Sequence, residues 1–240
     1  MKTFLDLAWR FVAATVLVFV GTMLLGGAVF AILGNPWEDV PAAGDVFLPM
    51  LLSSGLLVLA LVAPVRSSAL GRWPRIAAAF VACLGVNVLL MQVEAAAFLD
   101  MTAGQLAAAF VNALLNAAWL SVVTGFLFGP REPGEDLPPT FSGLPAAGWT
   151  KLIAGAGAIY LLLYLVAGML IYPQVQAYYE SQNFEAGPWI LPLAFLRGML
   201  YVVFSLWLVR SMRTTRLRCA LAVALMFPLL AGVAALVIPS

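Results

Sequence analysis

Residues 11–32 read FVAATVLVFVGTMLLGGAVFAI, and no Asp, Glu, Lys or Arg interrupts them. A helix rises 1.5 Å per residue, so about 20 such residues cross about 30 Å of hydrocarbon. Lys2 and Arg10 precede the run as the basic end of a secretory signal would. The run nevertheless exceeds the roughly 7–15 apolar residues of a signal core, and no A-x-A-like site follows it, so it is read as a retained anchor.

Working outward from this first span (10–32), the same test places further spans at 47–65, 75–98, 104–128, 150–172, 189–209 and 216–237. Composition agrees: 64% of the 240 residues are hydrophobic and 10% charged, and the mean hydropathy is +1.03. A water-soluble domain carries about 45–50% apolar and about 25% charged residues. The sequence therefore predicts an all-α integral membrane protein, a seven-transmembrane-helix bundle surrounded by lipid bilayer. Residues 1–128 hold four spans and 150–240 hold three. The segment 129–149 between them is a loop carrying Pro130, Pro133, Pro138, Pro139 and Pro145.

Lys and Arg accumulate in cytoplasmic loops. Lys2, Arg10, Arg66, Arg72, Arg75, Arg131, Lys151, Arg210, Arg213, Arg216 and Arg218 all fall on one side of a seven-span chain. The opposite loops carry Glu38, Asp39, Asp45, Asp100, Glu180 and Glu185 without a single Lys or Arg. The expected orientation is N-terminus cytoplasmic and C-terminus outside. Trp9, Trp37, Trp73, Trp149 and Trp189 fall at span boundaries, whereas Trp119 and Trp207 lie within spans four and six and are expected to pack inside the bundle. Residues 173–188 are expected to form an outer loop or a short interfacial helix.

Several function classes drop out. The net charge is +1 with no basic stripe, which disfavours nucleic acid, and the absence of histidine removes His-based acid–base chemistry and His-ligated metals. No nucleotide-binding, acyl-enzyme or zincin motif occurs, and span seven lacks a lysine for a retinal Schiff base. Cys83 and Cys219 are isolated within spans. The reading therefore carries no cofactor, no metal and no catalytic residue, and the residues show no resemblance to a characterised family.

A parallel internal repeat of spans 1–3 and 5–7 is one reading of the order of polar and backbone-special residues. Pro49 and Gly55 in span two match Pro192 and Gly198 in span six, Arg66-Ser67 matches Arg210-Ser211, and the R-x-x-R of Arg72 and Arg75 matches that of Arg213 and Arg216. Chance similarity among short, arginine-bounded hairpins is the competing reading. A true repeat would relate the copies by a rotation of about 180° around the membrane normal.

Two charges fall inside the apolar spans. Glu94 sits near the outer end of span three, and Arg197 lies about eight residues into span six, roughly 12 Å deep at helical rise. Each would cost about 2.5–3.5 kcal/mol if isolated at the bilayer centre, so they should face protein or water. Asn112 and Asn116 share a face of span four, and Asn87 shares a face of span three with Glu94. One reading makes Glu94, Arg197, Asn112, Asn116 and Asn87 an outward-facing polar site for a small polar or zwitterionic ligand in a permease-like or ligand-capturing protein. The other makes them structural, in a non-catalytic assembly or regulatory subunit that binds a membrane protein partner. A lipid-modifying enzyme with Glu94 as base would lack a second catalytic group at similar depth.

Overall fold

The computed structural model describes residues 2–33, 43–90, 92, 102–129, 143–181 and 189–233. Seven helices run through them: α1 (Lys2–Leu33), α2 (Ala43–Ser67), α3 (Arg72–Cys83), α4 (Ala103–Leu127), α5 (Ala146–Ser181), α6 (Ile190–Arg210) and α7 (Arg216–Pro228). The α3 helix continues as a π-helical segment, Leu84–Leu89, and α7 continues as another, Leu229–Val233. Six of the helices are long and apolar enough to cross a membrane; α7, as described, is not among them. The chain is thus a multi-pass helical membrane protein.

Local signals account for the ends. Thr102 caps α4 by accepting from the Gln105 N–H, while the Gln105 carbonyl oxygen accepts from the Thr102 N–H at 2.8 Å, a reciprocal capping box. Thr215 caps α7 in the simpler way, accepting from the Arg218 N–H. Pro228 has no N–H to give the preceding turn, and the α-helix yields there to the π segment.

Several boundaries differ from the sequence reading: α1 begins at Lys2 rather than 10, and α5 at Ala146 rather than 150. The α5 helix runs through Pro173 to Ser181 instead of ending at 172. Gln174, Gln176 and Ala177 are strong helix formers, and one proline removes only its own bond. Likewise α2 begins at Ala43, which puts Pro49 in its second turn rather than at its start. The loop residues 130–142, the outer segment 182–188 and the end of span seven from 234 lie outside the described residues.

Two compact units divide the chain: residues 1–142 with 204–240, and residues 143–203. In the first, Val18, Val58, Leu61, Val65, Val86, Leu208, Met226 and Leu230 form the interior. There Trp119 packs over Gly21, which leaves the indole Nε1–H free to donate to the Leu17 carbonyl at 2.8 Å. Trp207, expected inside, is instead 45% exposed. Hydroxyls within the helices donate back one turn, Ser121 to Ala117 and Thr124 to Leu120 at 2.7 Å each, as groups deprived of water must.

The ends of α2 and α6 are joined by an antiparallel bridge between Ser68 and Met212. The Ala69 N–H donates to the Ser211 carbonyl and the Arg213 N–H to the Ser67 carbonyl, both at 2.8 Å. The Ser68 and Ser211 hydroxyls lie 2.7 Å apart. In the second unit, α5 meets the first part of α6 through glycine. A Cβ on Gly198 would stand 3.0 Å from Gly157 Cα, and one on Gly157 would stand 2.9 Å from the Phe195 carbonyl. Along α5 the buried residue at this contact is Gly157, while Ala158 is exposed.

Candidate functional site

The close approach of α5 and α6 sets the surroundings of Arg197. With no side chains at Gly157 and Gly198, the helix backbones come together and bring Tyr160 and Tyr201 beside the guanidinium. Arg197 Nε donates to the Tyr201 hydroxyl at 2.6 Å, one helical turn along α6. The guanidinium carbon lies 5.7 Å from the Tyr160 ring centroid and 5.5 Å from that of Tyr201. The two rings meet edge to face at 5.2 Å, and Tyr164 stacks on Tyr160 at 6.4 Å. Arg197 is 7% exposed and Tyr201 3%.

This arrangement holds a permanent positive charge in a low-dielectric setting. A charge-assisted hydrogen bond to a phenol and the negative faces of two rings favour the cation. Arginine does not shed its proton, so the site keeps its charge at every physiological pH. Its planar fork matches carboxylate or phosphate oxygens.

The other candidate residues are placed as follows. Glu94 lies outside the described residues, as do Asp100 and Glu185. Asn87, within the π segment after α3, donates its amide to the Leu230 carbonyl at 2.7 Å, tying it to the π segment after α7. Asn116 donates to both the side-chain oxygen and the carbonyl of Asn112, at 2.9 and 3.0 Å. The Asn116 side-chain oxygen is buried without a hydrogen-bond partner among the described residues. These three amides belong to the first compact unit and Arg197 to the second. The signal that pairs Asn87 with Leu230 is a turn of π-helix, which leaves backbone carbonyls without their usual donors. Nothing in residue type announces it.

No family model, no curated protein and no solved structure matches this chain. Its function is therefore argued from the site alone. Among the described residues, no group of His, Cys, Asp or Glu could hold a metal ion.

Proposed function

We propose that the chain is a seven-span membrane protein, N-terminus inside and C-terminus outside, that captures a small polar or zwitterionic ligand at an outward-facing site around Arg197 and handles it in permease-like fashion. The observation that carries this reading is the burial of Arg197 within a helix of membrane-spanning length, beside two tyrosine rings. A charge retained at such depth marks ligand or ion pathways in membrane proteins generally. In this reading the guanidinium forks onto the ligand's carboxylate or phosphate, and Tyr160 and Tyr201 hold its plane.

The repeat is part of the same proposal. A shift of 144 residues carries Ser67 to Ser211 and Ala69 to Arg213, so each of the two bridge bonds maps onto the other. An antiparallel bridge between equivalent residues has a local two-fold axis, as two parallel-repeat copies would require. A π segment follows the third helix of each copy, at Leu84–Leu89 and Leu229–Val233. The matched glycines face matched helices at different closeness: a Cβ on Gly55 would make ordinary contact with Thr15 on α1 at 3.5 Å, whereas one on Gly198 would stand 2.5 Å from Tyr160 Cβ on α5.

A second reading, a non-catalytic assembly or regulatory subunit with a membrane protein partner, is favoured by one observation: Asn87, Asn112 and Asn116 all bond within the protein. Thermal unfolding of the purified protein against a panel of amino acids, betaines, phosphate esters and lipids separates the two, because specific binding raises apparent stability by mass action. Stabilisation by a carboxylate- or phosphate-bearing compound that Arg197→Gln abolishes supports capture. No stabilisation across the panel would favour the subunit.

A further inference from the structure

The start of α1 and the ends of α2 and α4 meet around a cleft of about 30 Å³ lined in part by Asp6, Arg10, Arg66, Phe128 and Gly129. Its charges are unbalanced. Among the described lining residues the one carboxylate, Asp6, accepts from Arg10 Nε at 3.1 Å, and Arg10 Nη1 also donates to the Leu127 carbonyl at 3.0 Å. That carbonyl belongs to the C-terminal turn of α4, whose dipole favours a cation. Arg66, in the last turn of α2, adds a second guanidinium to the lining.

A third stands directly behind the wall. Arg75 is 3% exposed, and its Nη2 lies 3.2 Å from where a Cβ on Gly129 would be. Its Nε and Nη1 are buried with no hydrogen-bond partner among the described residues. A buried, unsatisfied charged donor is costly, and arginine cannot escape by losing its proton. Among the described residues three guanidiniums stand against one carboxylate, and one of the three is undersatisfied and separated from the cleft by a glycine. Gly129 matters here because any side chain would move Arg75 away from the wall.

We infer that this cleft binds a phosphate group through Arg66, Arg10 and Arg75. A water-sized group needs about 10–15 Å³ of such space, so the cleft admits about two oxygens of the phosphate while the remainder rests on the rim. Tetrahedral oxygens can meet guanidiniums approaching from different helices, which a planar carboxylate does less well. Arg72, held over the Phe126 ring at 5.1 Å, adds positive charge to the same end of the bundle. The source of the phosphate is an anionic lipid headgroup or a free phosphate ion, since basic pockets between spans serve the former. The inference is independent of Arg197 and of any ligand it captures.

The test is thermal unfolding of the full chain in neutral detergent, titrated separately with phosphatidylglycerol, phosphatidylcholine and inorganic phosphate. Stabilisation by phosphatidylglycerol and not by phosphatidylcholine assigns the cleft to an anionic lipid; equal stabilisation by inorganic phosphate assigns it to the free ion. In either case Arg75→Gln and Arg66→Gln should weaken binding about tenfold or more, the loss of a charge-assisted bond. Asp6→Asn removes the competing carboxylate at an exposed position and should tighten binding several-fold. If Arg75→Gln does not fold, the Arg66 and Asp6 variants decide the question. Failure of both phosphatidylglycerol and inorganic phosphate to stabilise, or stabilisation that Arg66→Gln and Asp6→Asn leave unchanged, overturns the inference.

Discussion

Replacing Tyr201 by Phe deletes one oxygen and leaves the ring in place. The oxygen lost is the acceptor of the 2.6 Å bond from Arg197 Nε. The ring contacts at 5.5 Å to the guanidinium and 5.2 Å to Tyr160 survive. A hydrogen bond to a charged group contributes about 1.5–3 kcal/mol. With Tm falling about 2–4 °C per kcal/mol in a chain of this size, Tyr201→Phe should lower Tm by about 3–12 °C. Tyr201→Leu removes the ring as well. It forfeits a cation–π contact of about 0.5–2 kcal/mol and an edge-to-face pair of about 0.5–1.5 kcal/mol, so its loss should be clearly larger. Unfolding followed by intrinsic fluorescence in detergent gives both numbers. If Tyr201→Phe shifts Tm by less than about 1 °C, or if the Phe and Leu variants are equal, the hydroxyl and ring do not support the buried cation and the reasoning fails.

Reporter fusions after Pro41, Thr102 and Gln182 should report outside, and those after Ser68, Gly134 and Thr214 inside; a cytoplasmic signal at Gln182 removes the seven-span arrangement. Gly85→Leu would drive a side chain into Phe204 and should destabilise by about 1–3 kcal/mol, with Phe204→Ala restoring part of the loss in the double variant.

Much of the fold was legible because hydrocarbon imposes a simple length rule on apolar runs. FVAATVLVFVGTMLLGGAVFAI is longer than a signal core, and α1, α2, α4 and α6 all fall where such runs lie. Helix ends were less legible. Pro173 and Pro49 look like boundaries in the sequence, yet each sits inside a helix whose flanking residues favour helical backbone. The π segments after α3 and α7 left no pattern at all, since one additional residue per turn does not alter apolar composition. The site was legible only as a charge. Arg197 stands out in an apolar run, but its partners Tyr160 and Tyr201 depend on a glycine-to-glycine contact between helices that sequence spacing alone does not reveal. The Ser68–Met212 bridge was half visible: the repeated Arg-Ser pairs were evident, though not that they meet.

The central claim is that position 197 opens to water on the outer side. Cys83 and Cys219 are both buried, at 1% and 2% exposure, so the natural thiols give little background. An Arg197→Cys variant in sealed vesicles of known orientation, treated from outside with a membrane-impermeant thiol-reactive sulfonate, therefore reads the site directly. The account predicts labelling at 197, slowed by any compound that stabilises the unsubstituted protein. If a control Gln182→Cys is labelled from outside while position 197 is not, the site is dry and the capture reading is contradicted.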